Sequence, residues 1–150
     1  QTSFDGRRED LNLPGIIAWI PDEDRSHSED LYQRCLHDAI GLSAQLNLSA
    51  MQTAILQALV RVIPTVRRVR DVDPEFFERM RNAEEFRLLL PSIDALEERF
   101  EQRGAKIPLL ARTLAVILAV VEGEGKPLAD DPHRYDPEIV AMIYERRSAA

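Results

Sequence analysis

Asp130, Asp131, His133 and Asp136 fall within seven residues of this 150-residue chain, and all four are of metal-ligating types. Carboxylate oxygens and an imidazole nitrogen so close together could hold a divalent ion. The stretch reads "DDPHRYDPE", however, and Asp-Pro pairs start turns and helices, so Asp136 is expected to cap a helix. No metal or cofactor is therefore assigned, and Asp131 and His133 are the side chains a metal would use. Cys35 and His37 stand two apart on an expected helix, which points them to nearly opposite sides and prevents a local nucleophile–base pair. Asp94, Glu97, Glu98 and Glu101 fall at i, i+3, i+4 and i+7, a single acidic ridge. A ridge in water does not desolvate a carboxylate as general acid–base work requires. "EGEGKP", from Glu122, fails as a phosphate loop: Val120 replaces the first glycine, Pro127 the Ser or Thr, and Glu124 repels phosphate. No catalytic constellation and no small-molecule substrate are evident, and Glu-x-x-His, the signature of ferritin-like metal bundles, is absent from the sequence.

The stretch "RVIPTVRRVRD" places Arg61, Arg67, Arg68 and Arg70 together in a chain of net charge -7. On a helix whose buried stripe is Ile55, Leu59, Val62, Val66 and Val69, these arginines fan over more than half of the outer circumference. Three of them crowd the helix C-terminus, where a cation offsets the dipole by about 0.3–1 kcal/mol. A solvated helix end accounts for them, and an acidic protein partner is the functional alternative. Nucleic acid is not the expected partner, because acid predominates in residues 1–38 and 122–150 and repels phosphate. "SAQLNLSAMQTAILQAL" does have the outline of a helix-turn-helix, with Gln52, Thr53 and Gln57 placed to face bases. Against it, Thr53 falls where such motifs pack an apolar residue, and no Lys or Arg occurs in the first three turns.

The elements that must position these residues are all helical. Period-2 alternation never runs long, whereas caps and 3.6-residue stripes recur along the chain. Residues 1–27 are expected to form an N-terminal extended arm with one apolar patch, Leu13, Ile16, Ile17, Trp19 and Ile20, interrupted by Pro14 and Gly15. Residues 28–150 then form a single helical domain. Ser28 is its expected first N-cap, with a helix over 28–45; Asn47 and Ser49 supply a tight connection to a second helix, which Pro64 must kink or break. "DPE" at Asp73 starts a third helix that ends near Leu90, a fourth runs on to Gly104, and "DPE" at Asp136 starts the last. Residues 108–122 are apolar nearly all round, so this helix is the central one. The expectation is an all-α, compact bundle of five or six helices around it.

Residues 39–60 carry no charge, but Gln45, Asn47, Gln52 and Gln57 interrupt the run too often for a membrane span. A single cysteine, Cys35, and the lack of a basic, then apolar, N-terminal segment lead us to expect a cytoplasmic protein. The reading that remains is a non-catalytic protein–protein interaction domain, a subunit or adaptor of a larger assembly, or a self-associating one. Its candidate partner-binding residues are Ile16, Ile17, Trp19 and Ile20 of the arm and Arg61, Arg67, Arg68 and Arg70, because aromatic and arginine anchors dominate interfaces. A helix-turn-helix regulator is the first alternative, and a small all-α enzyme or metal-binding protein the second.

Overall fold

A computed structural model describes residues 11–149, and every regular element among them is a helix. In chain order these are α1 (Leu13–Ile17), α2 (Asp22–Gln45), α3 (Ala50–Val72), α4 (Pro74–Asn82), α5 (Leu90–Asp94), α6 (Phe100–Arg103), α7 (Leu109–Val121), α8 (Lys126–Asp130) and α9 (Pro137–Ala149). Single 3₁₀ turns at Glu84–Phe86, Gly104–Lys106 and Pro132–Arg134 fill the connections. No helix among the described residues is long and apolar enough to cross a membrane.

The central helix lies where the apolar run places it. In α7, Leu110, Ala111, Leu114 and the whole of Val116 to Val121 are buried. Its two polar interior positions are satisfied: the Thr113 hydroxyl donates to the Leu109 carbonyl at 2.8 Å, and Arg112 donates to the Ile107 carbonyl at 2.9 Å and to Asp136 at 2.7 Å.

Helices α2 and α3 form an antiparallel hairpin. Asn47, in the left-handed region at φ 58°, turns the chain, and Ser49 with Gln52 closes a capping box at the start of α3. Pairs run regularly back from the turn, Tyr32 with Gln57, Ser28 with Arg61 and Asp24 with Thr65. Pro64 does not break α3; the carbonyl of Arg61, in the turn before it, accepts the Ser28 hydroxyl.

The start of α2 differs from the sequence expectation. Extended Pro21 is its N-cap, and Asp22, Glu23 and Asp24 occupy the first turn, where the dipole favours acids. Ser28 is therefore not a cap but a buried interior residue tied to α3. Of the arm expected over 1–27, residues 1–10 lie outside the described residues, and the remainder is α1 and the first turns of α2.

A continuous helix from 92 to 103 is also not formed. Regular α5 ends at Asp94 and α6 starts at Phe100, so the expected acidic ridge is dispersed: Asp94 pairs with Arg81, Glu97 with Arg70 and Arg134, Glu98 with Arg103, and Glu101 with Arg99. Like charges at i, i+3 and i+4 weaken a helix, and here Asp94 and Glu97 are drawn to arginines of other segments while Glu98 and Glu101 pair locally.

Candidate functional site

Arg61, Arg67, Arg68 and Arg70 all turn inward to acids of neighbouring segments. Arg61 reaches Glu29 at 2.8 Å and lies over the Tyr32 ring, 3.6 Å from its centroid. Arg67 meets Glu122 at 2.7 Å, Arg68 meets Asp24 at 2.9 Å, and Arg70 meets Glu97 at 3.4 Å. They fasten α3 to α2, α7 and the 95–99 segment. The apolar patch of the arm folds back as well. Ile16 and Ile20 are buried, Ile17 is half-buried, and the Trp19 ring stands edge-on to Phe76 and Phe86 at centroid distances of 5.7 and 6.0 Å. These residues build the bundle in this conformation.

The residues of the helix-turn-helix outline are likewise occupied. Gln52 accepts from the Ser49 N–H, Thr53 donates to the Ser49 carbonyl, and Gln57 accepts from Tyr32. Their helices lie side by side rather than at the steep crossing the motif uses. At the proposed metal ligands, Asp131 is held by both Nη atoms of Arg99 at 2.8 Å each, and that guanidinium lowers its carboxyl pKa below the ordinary range. His133 is exposed on its 3₁₀ turn, and no group of three or more His, Cys, Asp or Glu side chains suited to a metal occurs among the described residues. Cys35 is fully buried, and burial pushes its thiol up to about 12, the opposite of what a nucleophile needs.

The structure brings a different set of residues together. Between α3, the second half of α7 and the segment leading into α9 lies a cleft of about 310 Å³. Its floor is apolar, made by Leu96, Ala115, Leu118 and Ala119. Ala115 and Ala119 lie four apart, hence on one face of α7, and their short side chains leave the hollow open. Ion pairs form the rim: Arg67 with Glu122, and Arg134 with Glu97 at 3.0 Å. Tyr135 lines the same cleft at 7% exposure, and its hydroxyl has no hydrogen-bond partner among the described residues. Burial pushes the phenol pKa up, so the hydroxyl is neutral and can both donate and accept.

One end of the cleft is a tight turn after α7. A side chain at Gly123 would put its Cβ 2.5 Å from Pro127 Cδ, while Glu124 and Gly125 both take left-handed backbone, at φ 53° and 83°. Glu124 holds this sparsely populated conformation at a cost of about 1 kcal/mol or more. The Gly125 N–H closes the turn on the Ala119 carbonyl at 3.1 Å. Lys126 donates to Asp130 at 2.6 Å.

Two other hollows, of about 440 and 340 Å³, lie elsewhere on the surface. One, beside Arg34, Tyr144 and Arg147, has both its arginines engaged, Arg34 on the Val121 carbonyl at 2.7 Å and Arg147 on Asp38 at 2.6 Å. The other lies against Trp19 and Phe76 and is open and largely apolar.

Compared with known proteins, the chain matches no family model, no curated protein and no solved structure. The site is therefore argued from its geometry alone. Sequence reasoning missed Leu96, Glu97, Ala115, Ala119, Glu122, Arg134 and Tyr135 as a group because they come from three separated segments. The one local signal was the recurrence of alanine at 111, 115 and 119 within a helix whose other apolar positions are Leu, Ile and Val.

Proposed function

We propose that this chain is a non-catalytic interaction module, a subunit or adaptor, that receives a partner polypeptide in the cleft between α3, α7 and Tyr135. One observation carries the reading: an apolar floor sits inside a ring of charged pairs, with the Tyr135 side chain on the wall. Interfaces are built in this way, with an apolar centre, a polar rim and aromatic or arginine side chains at the anchor point. A hollow of about 310 Å³ is at the small end of the range for ligand pockets, a size suited to one inserted side chain. The arm and the arginines of α3 act here as the frame of the module. We further read the module as cytoplasmic, since its one cysteine is a free, buried thiol.

Ala115→Leu tests the proposal, because leucine keeps helix propensity and projects into the cleft. The whole chain and this variant are compared by sedimentation over a range of concentrations and by affinity capture from the cell of origin. The expected result is that a second copy or a partner protein is retained by the wild type and lost by the variant, with thermal unfolding unchanged. Identical mass and identical capture in both would remove the cleft from consideration.

A further inference from the structure

The hollow beside Trp19 is walled by aromatic rings and holds one carboxylate. Trp19 and Phe76 both line it, and their rings stand at 81° to one another with centroids 5.7 Å apart, so they make two walls of a corner. Phe86, fully buried and at 89° to the indole, holds the first wall in place. Ala18 and Pro21 extend the apolar lining. Glu85 is the only charged residue in that lining; it is half-buried, and its carboxylate has no ion pair or hydrogen bond among the described residues. Its stem lies against α1 where Gly15 leaves room, since a Cβ at Gly15 would fall 2.9 Å from Glu85 Cγ. Arg79 of α4 lies 5.3 Å from the Phe76 centroid but does not line the hollow. Its charge is offset by Glu75 and Glu78 on the same helix, neither of which is in an ion pair among the described residues.

We propose that this hollow binds a quaternary ammonium group, the methylated cation resting in the corner of Trp19 and Phe76 and answering the Glu85 carboxylate. The site lies apart from the cleft at α7 and goes beyond the interaction reading without depending on it. Aromatic faces attract cations, indole most strongly. The supply of acceptors then selects the kind of cation. A lysine ammonium brings three N–H donors and a guanidinium five, whereas the lining offers one carboxylate among apolar side chains, so donors would be left without partners at a cost. A quaternary ammonium has no N–H to satisfy, its methyl groups suit apolar walls, and Glu85 balances its charge. A volume of about 340 Å³ admits such a group with part of the molecule that bears it.

Trp19 is the only tryptophan of the chain, so indole emission reads the hollow directly. The whole ¹⁵N-labelled chain is titrated at constant ionic strength with choline, with 3,3-dimethylbutanol, its neutral carbon isostere, and with a short peptide carrying one trimethyllysine; the Trp19, Phe76 and Glu85 amides are followed in parallel. The expected result is a saturable change with both cations, and binding of the neutral isostere weaker by about fivefold or more. Glu85→Gln should weaken choline by a similar factor with thermal unfolding unchanged. Phe76→Leu should do so as well, whereas Phe77→Leu, outside the lining, controls for lost packing and should not. Tighter binding of the peptide than of choline places the cation on a polypeptide, the reverse places it on a small free molecule, and either supports the site. Equal affinity for choline and its neutral isostere, or full choline affinity in Glu85→Gln, overturns the cation assignment. If neither cation moves the emission or these amides, the site itself falls.

Discussion

Cys35 and Asp24 show how single side chains are committed to the interior. Leaving water penalises the Cys35 thiolate most, and Glu122 and Asp38 add repulsion, which together raise the thiol to about 12. Folded, Cys35 keeps its proton up to that pH; unfolded, it loses the proton at its ordinary, lower pKa. The unfolded state binds fewer protons across that window, so stability is fully present below the ordinary thiol pKa and declines as pH rises toward 12. One such group contributes a slope of about 1.4 kcal/mol per pH unit. Urea unfolding under reducing conditions at pH 8 and pH 10 should show a larger loss in the wild type than in Cys35→Ala, whose packing cost is the same at both pH values. Equal losses would mean that the thiol titrates freely. Asp24 in the first turn of α2 accepts from the Thr65 hydroxyl at 2.8 Å and from Arg68 at 2.9 and 3.3 Å. Asp24→Ala leaves a buried hydroxyl unpaired and should cost about 1–3 kcal/mol, measured by the same unfolding experiment. A cost below about 0.5 kcal/mol would class the contact with ordinary surface ion pairs.

At the level of elements, α9 packs on the core through buried Ile139 and Ile143, and Asp136 adds a polar link to the central helix. Asp136 is 3% exposed, caps α9 by accepting from the Glu138 N–H at 2.9 Å, and pairs with Arg112 of α7. Removing the arginine would strand a buried carboxylate, so Arg112→Ala should lower stability on the order of 3 kcal/mol, with amide exchange in α9 accelerating first. Lys126→Ala, which removes only an exposed pair with Asp130, should stay within about 0.5 kcal/mol. Uniform exchange along α9 in the arginine variant would count against this linkage. Helix type, the central position of α7, the α2–α3 turn and the cap at Asp136 were legible in the sequence, because each depends on neighbouring residues: a run without charge, an Asn before Ser, an Asp-Pro. The start of α2 was not, because Ser28 has the chemistry of a cap and only its distant partner, Arg61, shows otherwise. The break after Asp94 and the cleft were hidden for the same reason. The arginines that draw Asp94 and Glu97 out of the acidic run lie at 70, 81 and 134, and Tyr135 acquires its meaning only beside Leu96 and Ala115.

Seen as a whole, the molecule is closed by its N-terminal segment. The described part of that segment presents Ile16, Trp19 and Ile20 to the same core that holds Phe86 and Met80, and Arg25 fastens the Ile20 carbonyl at 3.2 Å. Burying two isoleucines and much of an indole contributes roughly 1.5–3 kcal/mol per side chain, a large share of the 5–15 kcal/mol that holds a domain folded. A segment that supplies so much stability should not detach by itself before the bundle melts. Trp19 is the only tryptophan in the chain, so its emission reports on this segment, whereas far-UV circular dichroism reports on the long helices α2, α3 and α7. The two signals should therefore give one midpoint and one slope in urea, as a single cooperative transition requires. Ile16→Ala should move both together, by about 2–5 kcal/mol, because the cavity opens in the shared core. An indole signal that moves at lower urea than the helical one would instead mark the segment as a separable arm, able to leave Phe76 and Phe86 for another molecule while the helices stay folded.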